Sequence, residues 1–195
     1  ANGKVTAKAA GTAVIMATSA AGKTAQYKLT VKTPSVKLNV SAKTLYVKGT
    51  PATVTLKTTT AGVTGKVTYT SSKSSVASVD AKGKVTAASA GTAVITAKCG
   101  NYKATCKITV KKPTVKTTAS VNTLFVGGTS QVKVDRTGLT GKVTYGSSSK
   151  SVATVSTSGK ITAKKAGTAT ITVKCGSYKA TCKITVKKGS LKITS

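Results

Sequence analysis

The chain repeats itself. "SSKSSVASVDAKGKVTAASAGTAVITAKCG" (Ser71–Gly100) matches "SSSKSVATVSTSGKITAKKAGTATITVKCG" (Ser147–Gly176) at an offset of 76 residues, and "GKVTY" at Gly65 recurs at Gly141 with the same offset. Upstream, "TLYVKGT" at Thr44 matches "TLFVGGT" at Thr123 at an offset of 79. The second copy is therefore three residues shorter between these motifs, where a loop would tolerate the change. Residues 33–112 and 113–188 are two copies of one unit. Residues 1–32 repeat only its later half, "NGKVTAKAAGTAVIMA" standing against "KGKVTAASAGTAVITA". The closing "SLKITS" (Ser190–Ser195) matches the opening "SVKLNVS" (Ser35–Ser41), so residues 189–195 read as the first strand of a further copy.

Within each copy, apolar and polar residues alternate at period two in short runs. Ala93, Ile95, Ala97 and Cys99 share one face, with Thr92, Thr96 and Lys98 on the other; Ala104, Cys106, Ile108 and Val110 oppose Lys103, Lys107, Thr109 and Lys111. This is the pattern of half-buried antiparallel strands. "DAKGK" (Asp80–Lys84) and "STSGK" (Ser156–Lys160) read as hairpin turns, with Gly83 and Gly159 supplying the positive φ. Threonine, serine, valine, lysine and alanine dominate, a β-rich vocabulary. The expectation is an all-β chain of small β-sandwiches, about seven strands per copy. A unit this small buries only ~60% of its unfolded surface, so its stability is modest.

The order "TLYVKGT", "GKVTYTSS", "SVASVDAKGKVTA", "AGTAVITA", "KATCKITV" resembles the bacterial immunoglobulin-like domain of group 2. The resemblance covers essentially the whole chain. Its most specific pieces are "SSxxSVAxV", the "GK[VI]TA" hairpin and the "AGTAxI" strand start. That family usually carries Trp in the strand before the paired serines; Tyr69 and Tyr145 stand there. The resemblance implies tandem Ig-like sandwiches and the setting of invasin- and intimin-type surface proteins. It implies no shared active site, and a fold alone does not give a function.

Each complete copy holds two cysteines, Cys99 and Cys106, then Cys175 and Cys182, all in phase with the inward residues. With the turn centred on Asn101–Ala104, the two of each pair face one another on adjacent strands. Three readings are open: a disulfide across the hairpin, two free thiols acting as small hydrophobes, or a four-cysteine metal site. The pairs lie a full copy apart, their spacing is not that of a zinc site, and no histidine accompanies them, which argues against metal. In the half copy Ser19 and Tyr27 replace both cysteines together, which favours bonded pairs Cys99–Cys106 and Cys175–Cys182. Such short loops are worth about 2–3 kcal/mol and imply an oxidising, extracellular compartment.

Groups for catalysis are scarce. There is no His, no Glu, and only Asp80 and Asp135. General acid–base chemistry needs positioned titratable groups, and a serine or cysteine nucleophile would lack its base. Calcium sites need clustered carboxylates. No enzyme, cofactor or metal is expected. Asp80 aligns with Ser156 as a turn residue, Asp135 beside Arg136 reads as a local surface charge pair, and Asn39-Val40-Ser41 is a chance glycosylation sequon. The charge is the unusual feature: 32 Lys+Arg against two acids, +30 net, all lysine except Arg136. Outward lysines solvate strands and block edge-to-edge pairing. They also attract polyanions through loose, salt-sensitive contacts. Specific nucleic-acid readers rely on arginine forks and stacked aromatics, which one Arg and 4% aromatics do not supply.

The copies adjoin almost without linkers, at "VKTPSV" around Pro34 and "VKKPTV" around Pro113. Proline restricts bending there, so the domains are expected to form a semi-rigid rod whose partners are neighbouring repeats of the same protein. The leading expectation is a stalk, spacer or filament element of a bacterial surface protein, extracellular and without a membrane span. One alternative is an adhesin whose lysines meet anionic glycans or wall polymers, with Tyr102 and Tyr178 at the hairpin tips as glycan contacts. Another is an accessory segment of a surface carbohydrate-active enzyme. The chain opens without Met and reads as a piece of a longer array. Head-to-tail assembly, with Ser190–Ser195 of one chain completing the half copy of the next, is the sharper reading of its ends.

Overall fold

The computed structural model describes residues 3–189. The tail Ser190–Ser195, and with it the expected first strand of a further copy, lies outside the described residues. Every regular element is a strand. The half copy contributes β1 (Gly11–Thr18) and β2 (Thr24–Val31). The first complete copy contributes β3 (Ser35–Leu38), β4 (Ala42–Tyr46), β5 (Thr53–Thr55), β6 (Thr58–Ala61), β7 (Thr68–Ser71), β8 (Ala77–Val79), β9 (Lys84–Ala87), β10 (Gly91–Cys99) and β11 (Tyr102–Lys111). The second contributes β12 (Thr114–Ala119), β13 (Thr123–Phe125), β14 (Thr129–Thr137), β15 (Val143–Ser147), β16 (Ala153–Val155), β17 (Lys160–Ala163), β18 (Gly167–Cys175) and β19 (Tyr178–Lys187). By contact density the chain falls into two compact units. One comprises Ala1–Lys43, Thr55–Val85 and Thr92–Ile108; the other comprises Thr44–Val54, Thr86–Gly91 and Thr109–Ser195.

The second copy shows the sandwich plainly. One sheet runs β12-β14-β17-β16 and the other β13-β19-β18-β15. All neighbours are antiparallel except β13 and β19, which run parallel from Thr123↔Thr185 to Phe125↔Lys187. Between the sheets lie Leu124, Val132, Ala153, Ile161, Ala163, Ala169, Ile171, Val173, Ile184 and Val186. These are the inward set of the period-two pattern. Full burial of each large aliphatic stabilises by about 1.5–3 kcal/mol.

The first copy has the corresponding order β4-β11-β10-β7 in one sheet. Its other sheet is broken into β3-β6 and β5-β9-β8. The three extra residues of this copy lie ahead of the break, in the loop before β5, since Leu56 N–H donates to Gly83 O as Val132 N–H does to Gly159 O. In the second copy β14 is one strand that pairs with β12 at one end and β17 at the other. In the first, the same path is cut at Leu56-Lys57 into β5 and β6, and each keeps its own partner. The copies therefore hold nine and eight strands rather than seven.

The half copy is a bare hairpin. β1 and β2 pair from Gly11↔Val31 to Thr18↔Thr24, closed by Ser19 N–H donating to Lys23 O at 2.8 Å. Ala13, Ile15 and Ala17 share a face with Leu29, Tyr27 and Ala25. Their counterparts Ala93, Ile95, Ala97, Cys106 and Ile108 are fully buried. Here all of β1 is exposed, Tyr27 is 68% exposed, and only Leu29 and Val31 in β2 reach half burial. Val5 and Ile15 face water.

Candidate functional site

The residues of the recurring motifs are spent on the sandwich. The first of the paired serines, Ser71, donates to Ala77 O at 2.6 Å and accepts from Lys73 N–H at 3.2 Å, holding the turn into β8. The second, Ser72, is bonded to Val94 through both its side chain and its N–H, tying that turn to β10. Ser147 and Ser148 repeat the arrangement with Ser149 and Thr170. In the place of the family's Trp, Tyr69 has a hydroxyl 2.6 Å from Thr58 Oγ1 and donates to Leu56 O at 3.3 Å. The "GK" hairpin lies over this ring, where a Cβ on Gly83 would come within 2.9 Å of Tyr69 Cζ. A phenol therefore fills the core and satisfies its polar tip in one residue.

The cysteines correct the sequence reading. All four are free thiols. The hairpin turn is Gly176-Ser177, with Cys175 opposite Tyr178 and Cys182 opposite Ile171. Cys182 thus lies four positions beyond Cys175's own partner, about 13 Å along the strand at ~3.3 Å per residue. A disulfide needs Cα atoms within about 7 Å, so Cys175–Cys182 cannot bond. The matching turn at Gly100-Asn101 separates Cys99 from Cys106 by the same spacing. The pairing failed because the turn was placed two residues late. A glycine of positive φ leading a two-residue loop between alternating strands was the available signal, since type II′ hairpins begin that way.

What the thiols do is local. Cys99 Sγ donates to Gly65 O at 3.3 Å and Cys175 Sγ to Gly141 O at 3.4 Å, so each pins the start of the "GKVTY" segment. Burial pushes the Cys106 thiol above its ordinary pKa. It does the same at Cys182, against a Thr117 side-chain hydrogen bond that pulls it down. Neutral thiols filling apolar space are the result.

Tyr102 and Tyr178 stand at the starts of β11 and β19, the first exposed and the second half-buried. Tyr178 lines a shallow groove of about 210 Å³ with Lys48, Thr50, Thr140 and Ser177. Asp80 is a turn residue as expected, its Oδ1 accepting from Lys82 N–H at 2.8 Å and Lys84 N–H at 2.9 Å. The expected pair of Asp135 with Arg136 gives way to separate partners. Arg136 donates to Gly141 O at 2.6 Å, and Asp135 faces Lys116 across β12–β14. Neighbours on a strand point to opposite faces, which sets these two apart. Asn39 Oδ1 accepts from Lys57 N–H at 2.9 Å, a structural use of the sequon residue. Among the described residues no group of three or more His, Cys, Asp or Glu is placed to hold a metal ion, and no helix is long and apolar enough to cross a membrane.

The outer face of β18–β19 carries the charge. Lys174 and Lys179 are directly opposed, and Lys183 and Lys187 continue the row at every fourth residue of β19, all exposed. Like charges on one rung are mutually destabilising unless counterions intervene.

Compared with known proteins, residues 65–112 and 141–188 match the family model Big-like, the bacterial Ig-like domain. Among solved structures, domains 1–6 of the surface layer protein SbsC share 21% identity over 98% of this chain and 37% of that one, with a TM-score of 0.51. Domains 4 and 5 of the same S-layer protein share 23% identity over 80% of this chain and 98% of that one, at a TM-score of 0.48. The C-terminal 282-residue fragment of intimin, solved with the intimin-binding domain of its translocated receptor, shares 19% identity over 77% and 62%, at 0.36. No curated protein matches the chain. It spans 30% of the longer S-layer structure rSbsC(31–844). The recurring motifs, the sheet order and the family model agree over the matched segments: residues 65–112 and 141–188 belong to bacterial Ig-like domains.

Proposed function

We propose that the chain is a load-bearing spacer of a bacterial surface protein, a run of Ig-like repeats that holds other modules away from the cell. The carrying observation is that the motif residues Ser71, Ser72, Tyr69, Asp80 and Cys99, with their second-copy counterparts, are used for turns and packing. Their polar groups are taken up by bonds inside the fold. Surface layer proteins with domains of this fold provide the setting. In this reading residues 1–32 are the later half of a third sandwich, 33–112 and 113–188 are whole repeats, and 189–195 open another. Small-angle scattering tests it. A maximum dimension that grows by a constant increment per repeat fits a spacer, and a compact particle refutes it.

A second reading rests on Lys174 and Lys179 sharing a rung without an acid beside them. The lysine rows attract anionic glycans or wall polymers through many weak contacts, in the manner of an adhesin's accessory surface. Tyr102 and Tyr178 then act as separate edge contacts. Binding to heparin that falls steeply with salt supports this, and retention at high salt refutes it.

A further inference from the structure

The second copy carries a strand glycine that its fold does not require. Gly146 lies in β15, at the edge of its sheet, directly opposite Thr172 of β18. Its φ is outside the left-handed region, and a Cβ there would meet nothing within 4 Å. The first copy has Thr70 at the same place, opposite Thr96. Threonine suits a strand and glycine weakens one. A glycine kept inside a strand often marks the close approach of a ligand to the backbone.

The absent side chain opens a trough of about 370 Å³ on the outer face of the sheet. Gly146 is its floor. Thr144 and Ser148 hold the outward positions to either side on β15, and Thr170, Thr172 and Lys174 form the bank on β18. Outward neighbours on a strand stand about 6.6 Å apart, so three rungs make a trough about 13 Å long. Ser148 Oγ accepts from Thr170 N–H at 2.9 Å, which leaves its own O–H to donate. Lys174 closes one end with Lys179 beside it, and Lys183 stands next to Thr170 at the other. Small-molecule sites are mostly apolar. This one offers hydroxyls, threonine methyls and ammonium groups. In the first copy Thr70 fills the floor and Val94 replaces Thr170 in the bank.

We propose that the trough over Gly146 is a glycan subsite that seats one acidic sugar residue. The sugar ring lies on the glycine backbone and the threonine methyls. Its hydroxyls exchange hydrogen bonds with Thr144, Ser148 and Thr172, and its acidic group meets Lys174. A nucleobase would need an aromatic platform, and the aromatic at this place, Tyr145, packs into the core. The inference rests on the second reading above, in which the lysine rows attract anionic glycans, and gives that reading one seat in one copy.

The test follows the amide NMR spectrum of the full chain at about 0.15 M salt as trigalacturonic acid, a heparin-derived tetrasaccharide or neutral maltotriose is added. An acidic oligosaccharide should give saturating shifts at Gly146, Thr172 and Lys174, larger than those at Thr70, Thr96 and Lys98 of the first copy. Whichever acidic probe does so identifies the group as carboxylate or sulfate. Gly146→Thr should weaken binding about tenfold or more by filling the floor. Lys174→Thr should weaken it about tenfold, the worth of one charge-assisted hydrogen bond. Threonine is the first copy's own residue, so Gly146→Thr keeps the sandwich folded, with a melting midpoint equal to or above that of the unaltered chain. Unchanged affinity in Gly146→Thr, equally tight binding of maltotriose, or no saturation with either acidic probe overturns the subsite. Shifts spread equally over both copies also overturn it while leaving the lysine rows standing, and the heparin salt profile judges those rows separately.

Discussion

The same isoleucine occurs three times, at Ile15, Ile95 and Ile171, and the structure assigns it two different values. Ile95 and Ile171 are 0% exposed and sit at the centre of β10 and β18. Ile15, on β1, is 36% exposed and faces only Tyr27 across the hairpin. Truncating a fully buried isoleucine to alanine loses its transfer free energy and leaves a cavity, together about 2–5 kcal/mol. For a domain of this size each kcal/mol moves the melting midpoint by roughly 4–8 °C. A 3 kcal/mol loss then lowers it by roughly 12–24 °C. Ile15→Ala should behave as a surface change, within about 0.5 kcal/mol. Scanning calorimetry of the full chain separates the cases. Ile95→Ala and Ile171→Ala should each shift one share of the unfolding enthalpy downward and leave the other in place, while Ile15→Ala shifts neither. If Ile15→Ala lowers a transition as far as Ile171→Ala does, the hairpin face is covered in solution and the account of the half copy is wrong.

Three further outcomes follow from the geometry. Because the cysteines are free, millimolar dithiothreitol should leave the melting midpoint unchanged, and peptide mapping without reductant should find four thiols. Cys106 and Cys182 have pKa values raised by burial from 9.0, so the folded chain holds protons that the unfolded chain releases. The stability they contribute is whole below about pH 9 and declines as pH rises above it, and replacing both with alanine should flatten that decline in urea titrations. Gly83→Ala should cost about 1–3 kcal/mol, since φ is +79 and the new Cβ meets Leu56 O and Tyr69. Gly176→Ala, with φ +60 but open space around it, should cost only about 1 kcal/mol.

The repeats, the strand alternation and the "GK" hairpins were legible because they depend on local chemistry: period-two burial and turn glycines. The positions of Tyr69 and Tyr145 as core aromatics were legible from the family pattern. Two kinds of information were not. The cysteine pairing depended on hairpin register, and a two-residue error in placing the turn moves one cysteine about four positions from the other. The different burial of Tyr46 and Phe125, which hold the same motif position, depends on contacts distant in sequence, to which a period-two pattern is blind. The break in β5–β6 was not legible: the offset located three extra residues between Gly49 and Gly65, and they fall in the loop before β5 rather than at Leu56-Lys57.

The parallel pair β13–β19 has a mechanical consequence. A pull on the two ends of the second copy draws β19 toward its C-terminus and the early strands toward the N-terminus. Parallel neighbours drawn in opposite directions are loaded in shear, so the bonds from Thr123↔Thr185 to Phe125↔Lys187 share the tension instead of opening in turn. With no covalent cross-link between Cys175 and Cys182, nothing caps the extension once that clamp gives. The 76 residues from Pro113 to Lys188 would then pay out roughly 250 Å of chain at ~3.3–3.6 Å per residue. Under such a pull the second copy would resist small tugs and yield its full length to a large one.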